Sequence, residues 1–159
     1  MVISRPWHFA AAVMDRATTP GIGSTRGTNN SAGTKVLNNT VVLSGTYPNA
    51  IEYRFPATTG VEIRFNLADT AVQQRDGAAG AVSGNVTTAQ PSWFVNASAG
   101  DLHLSASAVA VIDRATPHPD VTRDYDQEIR PAGAAPDIGA DEFKAPDGPP
   151  SPPTNLLVR

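Results

Sequence analysis

Apolar and polar residues alternate with a period of two through Val61, Glu62, Ile63, Arg64 and Phe65, the signature of a strand with one face buried and the other in solvent. Comparable short runs recur on both sides: KVLNNTVVL at 35–43, AIEYRF at 50–55, AVSGNV at 81–86 and SWFVN at 92–96. Helical spacing with caps is nearly absent, and only Ala68 to Gln74 suggests a single helical turn. The pattern predicts an all-β chain.

Placing VLNNTVV, IRFNLAD and VSGNVTT one above another reveals an internal repeat. Val36, Ile63 and Val82 align, and three residues later stand Asn39, Asn66 and Asn85, each followed by Thr40, Leu67 or Val86. The intervals are 27 residues from Asn39 to Asn66 and 19 from Asn66 to Asn85. Such spacings suit the coils of a β-solenoid. Asparagine tolerates the left-handed geometry of a tight bend, and its amide can bond the amide stacked on it. A ladder of asparagines, with neighbouring Cα atoms about 4.8 Å apart, is the expectation.

Toward the end the chain reads FVNASAGDLHLSASAVAVID and then DYDQEIRPAGAAPDIGADEF. These stretches resemble the closing segment of bacterial right-handed parallel β-helix proteins of the pectate-lyase-like superfamily. More narrowly, they resemble those with a choice-of-anchor Q domain. Phe94, Val95 and Asn96 match the first element of that pattern, and Gly100, Asp101, His103 and Leu104 the second. Ile112 and Asp113 end the third, and Arg130 and Pro131 form the turn. Asp137, Ile138, Gly139, Ala140 and Glu142 match the final D-I-G-A-x-E. Leu102 stands where the family has an aromatic residue, and Gln127 and Glu128 where it commonly has a glycine.

The resemblance covers roughly residues 35–143 and implies a right-handed parallel β-helix (solenoid) fragment with a loop-rich C-terminal closing segment. It also implies an extracellular bacterial setting, with polysaccharide as the partner class. Few coils precede the closing segment, whereas a solenoid stacks several repeats to bury a continuous core. The chain is therefore expected to be the last part of a longer protein with neighbouring domains, any export signal lying upstream of Met1. Three regions follow: a loop-rich segment at 1–34, the coils and closing segment at 35–144, and a Pro-rich linker or start of a further module at 145–159.

Composition narrows the function classes. The 159 residues include 15 acidic and 12 basic side chains, 14 prolines, 13 glycines and no cysteine. A net charge of −3 lacks the general attraction to phosphate backbones that nucleic-acid binding needs. The absence of cysteine removes disulfides, thiolate catalysis and cysteine-bound metals. Phe9–Met14 is too short an apolar run for a signal core or a membrane span. Arg5, Arg16, Arg26 and Lys35, set against Asp15, make the first 35 residues positive and read as solvated surface.

Candidate chemistry concentrates in residues 113–142. Eight acids (Asp113, Asp120, Asp124, Asp126, Glu128, Asp137, Asp141 and Glu142) are interleaved there with Arg114, Arg123 and Arg130. Asp124, Asp126 and Glu128, at alternate positions, can offer oxygens to calcium. The glycine of a calcium loop is missing, however, and the arginines favour a carboxylate–arginine network with Arg130 as a bidentate fork. His8, His103 and His118 lack metal-ligand spacing, and His103 reads as a half-exposed strand residue. Arg54, Arg64 and Arg75 are the cations a polysaccharide lyase would recruit, but they read instead as outward-facing charges on strands. Trp7, Tyr53 and Trp93 are the rings available to stack on sugars, although Trp93, next to Phe94, reads rather as part of the closing hydrophobic layer.

No catalytic, cofactor-binding or metal-ligating residue is assigned. The functional expectation is a non-catalytic end piece that closes the open edge of a solenoid. The alternatives are part of a polysaccharide lyase or glycoside hydrolase with its active coils upstream, and a small β-sandwich carbohydrate-binding module.

Overall fold

The computed structural model describes residues 32–45 and 47–145, together with the backbone of a short strand at 12–13. The expectations for Arg5, Trp7, His8, Arg16 and Arg26, and for the linker beyond Ala145, lie outside the described residues.

The chain is strand-rich. In order come β1 (Ala12–Val13), β2 (Lys35–Leu37), β3 (Thr40–Val41), β4 (Asn49–Tyr53), β5 (Val61–Arg64), β6 (Leu67–Ala68), β7 (Ala71–Gln74), β8 (Gly80–Ser83), β9 (Phe94–Asn96) and β10 (Asp101–Leu104). Among the first eight strands pairing is parallel and always three strands apart: β1–β4–β7, β2–β5–β8 and β3–β6. Among the described residues, β9 and β10 form the one antiparallel pair of strands. A β-sandwich is built from antiparallel sheets, so the carbohydrate-binding sandwich is not what these strands build. The register matches the internal repeat, with Val36 beside Ile63, Ile63 beside Val82, and Thr40 beside Leu67. Leu67 in turn bridges Val86.

Two sequence expectations are corrected. Ala68–Gln74 is not a helical turn, because Leu67–Ala68 and Ala71–Gln74 are strands held in parallel ladders. KVLNNTVVL and VEIRFNLA are each two strands separated by a bend. Asn38, Phe65 and Gly84 take φ values of 49°, 52° and 66°. The left-handed residue is thus the one before each repeat asparagine rather than the asparagine itself.

Alternation places Val61 and Ile63 in the core while Glu62 and Arg64 face outward. With Val41, Leu43, Ala50, Ile51, Tyr53, Ala68 and Ala78 they form the cluster between the parallel sheets. A second cluster joins Leu67, just after the bend, to Ala89, Phe94, Leu104, Ala108, Val111, Ala115 and Ile138. The bends thus bury apolar side chains on both sides.

That second cluster determines where the loop-rich segment lies. Asn38 Nδ2 donates to the Asp137 carbonyl (3.1 Å), Gly139 N to the Phe65 carbonyl (2.9 Å) and Ala140 N to Thr40 Oγ1 (2.9 Å). The segment therefore runs along the flank of successive strand passes. The expected covering of the open edge is not seen among the described residues. Among the described residues β8 pairs only with β5, and all four of its residues, Val82 included, are exposed. The apolar surface needing cover is the outward bend around Leu67, not the short, glycine-bounded β8.

Candidate functional site

At the bends, Asn39, Asn66 and Asn85 stack. Asn39 Nδ2 donates to Asn66 Oδ1 (2.9 Å), and Asn66 Nδ2 to Asn85 Oδ1 (2.8 Å). Backbone groups complete the set. Asn39 N and Asn66 N donate to the same two amide oxygens, while Asn66 Nδ2 and Asn85 Nδ2 donate to the carbonyls of Val36 and Ile63. Asn66 has no solvent exposure, so these bonds replace water for a fully buried amide. This is scaffolding chemistry.

The D-I-G-A-x-E run sits on that scaffold. Asp137 accepts Asp113 N (2.6 Å) and Phe143 N (2.6 Å), and Glu142 accepts Ala132 N and Asp137 N (both 2.8 Å). Ile138 fills the second core. At Gly139, with φ of 113°, a Cβ would fall 2.8 Å from Thr40 Oγ1 and 3.1 Å from Leu67 Cβ, so only glycine permits this approach.

Arg130 is buried here, with Nη1 3.2 Å from Glu142 Oε1. The expected bidentate fork onto carboxylates is corrected: Nη1 also donates to the Asp137 carbonyl (3.1 Å), and Nη2 to the Gly139 carbonyl (2.8 Å). The carboxylate oxygens are already engaged by backbone N–H groups, so the guanidinium ties down the chain itself. Arg123 likewise donates to the Gln127 carbonyl (2.5 Å), and Arg114 is exposed. Burial raises the pKa of Asp137 and Glu142, while the N–H donors and Arg130 act in the opposite direction.

Asp124, Asp126 and Glu128 do not converge. Asp124 Oδ1 accepts Asp126 N (3.0 Å) and Glu128 N (2.8 Å), making a turn, while Glu128 pairs with Lys144. Asp126 turns instead toward His103.

His103 is on β10 and exposed, as its strand-like context suggests. Its surroundings are not visible in spacing. Nδ1 lies 2.6 Å from Asp101 Oδ1, and Nε2 lies 2.8 Å from Asp126 Oδ2. Asp141 completes the group: one oxygen from it, one from Asp126 and one His103 ring nitrogen lie within 4.8 Å of one another. Asp141 is buried, and its Oδ2 accepts Leu104 N (2.6 Å). The imidazole pKa is raised to about 9, chiefly by the Asp101 hydrogen bond, and Asp101 is lowered in turn. Asp141 is raised by burial, with Asp124 and Asp126 adding repulsion. His103 and Asp141 also line a cavity of about 670 Å³, whose wall includes Val41, Ile51, Leu102 and Tyr125.

The other candidates are occupied locally. Arg54 pairs with Glu52 and Asp76, Arg64 with Glu62, and Arg75 with Glu52. Tyr53 is buried in the core and so offers no ring face to a sugar, while Trp93, partly buried, packs against the second cluster as part of the hydrophobic layer. Lys35 pairs with Asp120 at 2.5 Å, and His118 Nε2 lies 3.6 Å from Glu62. Among the described residues no helix is long and apolar enough to cross a membrane.

Comparison with protein-family models, with curated proteins and with solved structures returns no match to this chain.

Proposed function

We propose that the chain is a non-catalytic closing portion of a right-handed parallel β-helix. In this reading it belongs to an extracellular bacterial protein concerned with polysaccharide or the cell surface. It ties the flank of the last coils together and leads toward an anchor or a further domain. The observation that carries this reading is how the D-I-G-A-x-E side chains are used. Asp137 and Glu142 accept backbone N–H groups, Ile138 fills the core and Gly139 seats against Leu67. An active site needs groups held for a substrate, whereas these are committed to the chain's own backbone. The parallel, three-apart pairing and the stacked asparagines also suit a coil architecture.

The reading is tested by incubating the whole chain with pectin, polygalacturonate and alginate, with and without CaCl₂, and following unsaturated uronate by ultraviolet absorbance. No product is expected. Enzyme-dependent release of unsaturated uronate would overturn the non-catalytic assignment and favour the lyase. In parallel, Gly139→Val should abolish cooperative unfolding or lower its midpoint sharply. A variant with unaltered stability would show that the segment does not hold the coils.

A further inference from the structure

The cluster around His103 has a use beyond closure. The imidazole has a carboxylate on each ring nitrogen, Asp101 on Nδ1 and Asp126 on Nε2, with Asp141 beside the latter. Among the described residues, the ion pairs of Asp101 and Asp126 are with His103 alone. Three carboxylates around one imidazole leave the group negative even with both ring nitrogens protonated.

We propose that His103 Nε2, Asp126 and Asp141 bind a divalent first-row transition-metal ion of the zinc class, with Asp101 as the positioning residue that orients the imidazole. A metal-bound histidine generally donates its other ring N–H to a carboxylate, which fixes the tautomer and turns the free lone pair toward the ion. Asp101 stands at Nδ1 in that role, at 2.6 Å. Nitrogen with two carboxylate oxygens suits zinc or manganese better than calcium, which prefers an all-oxygen shell.

The geometry needs little change. Ligands about 2.0 to 2.1 Å from a tetrahedral ion are separated by about 3.3 Å. The three ligand atoms already lie within 4.8 Å, and Nε2 to Asp126 Oδ2 is 2.8 Å. One contact opens slightly as the others close. Asp141 is held from behind by Leu104 N, while His103 and Asp126 are exposed and free to adjust. Because His103 and Asp141 line the cavity, a bound ion would keep a side open to water or a small anionic ligand.

The test uses the full chain, free of affinity tag, stripped with chelator and then desalted. Thermal melts with ZnCl₂, MnCl₂ and CaCl₂ in parallel should show a midpoint rise of several degrees with zinc and little or none with calcium. His103→Ala and Asp126→Asn should each abolish the rise, and Asp101→Asn should weaken zinc affinity about 10- to 100-fold. Nitrogen-15 spectra of the imidazole should show a metal-type shift at Nε2 with Nδ1 still protonated. That change would be unmoved by a role limited to ion pairing. The proposal is overturned if zinc leaves the melt and the His103 nitrogens unchanged, or if its effect persists in both ligand variants. These outcomes are separate from the activity assay, so the metal site and the non-catalytic reading can fail independently.

Discussion

Asn66 and Gly84 show how single positions hold the bends in register. Asn66 is the middle member of the stack, receiving from Asn39 and donating to Asn85 and to the Val36 carbonyl. Asn66→Leu removes these bonds without relieving the burial of their partners, and should cost about 1 to 3 kcal/mol in urea unfolding. Gly84 has φ of 66°, and a Cβ there would fall 2.4 Å from Phe65 Cε1. Gly84→Ala should therefore cost more than the roughly 1 to 2 kcal/mol of left-handed geometry alone. A double variant that also replaces Phe65 with alanine should recover the clash component, as a double-mutant cycle would reveal. The asparagines were legible because a one-dimensional alignment preserves their stacking interval. The role of Phe65 was not, because a bulky residue in left-handed geometry contradicts local preference and is imposed by the bends above and below it.

Elements built from regular alternation could be read from the chain, and those built from close approach could not. The β5 pattern Val61–Arg64 follows directly from its period of two, whereas β6 and β7 became strands only through pairing with β3 and β4. In the closing segment the acid–arginine interleaving was visible. The choice of carbonyls as Arg130's main partners depends on which carboxylate oxygens the backbone had already taken. The His103 group was illegible for a related reason: its members come from residues 101, 103, 126 and 141, which no spacing rule connects.

Arg130→Met tests the buried pair. Losing one partner of a buried ion pair commonly costs about 3 to 5 kcal/mol. The pH dependence has a definite sign. Asp137 and Glu142 have folded-state pKa values raised above their ordinary 3.8 and 4.5, and removing the arginine raises them further. Their contribution is most favourable below the unfolded-state values and is lost as pH rises through the folded ones. The variant's deficit should therefore be largest at neutral pH and shrink toward about pH 4. Urea melts at the two pH values measure this difference. A deficit that is the same at both pH values would mean that the lost carbonyl bonds, which do not titrate, dominate over the carboxylates.

At the scale of the molecule, two sets of contacts differ in reach among the described residues: those between successive strand passes, and those that bring residues 137–140 back to residues 38, 40 and 65. The asparagine bonds span 19 or 27 residues, whereas Asn38 to Asp137 spans 99 and Thr40 to Ala140 spans 100. Closing a long loop costs entropy before its contacts repay it, so distant contacts tend to form late. Kinetic experiments should separate the two sets. Gly139→Ala should chiefly accelerate unfolding, while Asn66→Leu should also slow folding, visible in opposite limbs of a chevron. If Gly139→Ala instead slows folding in proportion to its loss of stability, closure belongs to the rate-limiting step. The strap along the flank therefore has a temporal meaning as well as a spatial one. Until residues 137–140 have emerged and returned, Leu67 lacks the part of its cover that Ile138 and Gly139 supply, so a chain paused during synthesis short of Ile138 presents a partly uncovered apolar bend to its surroundings.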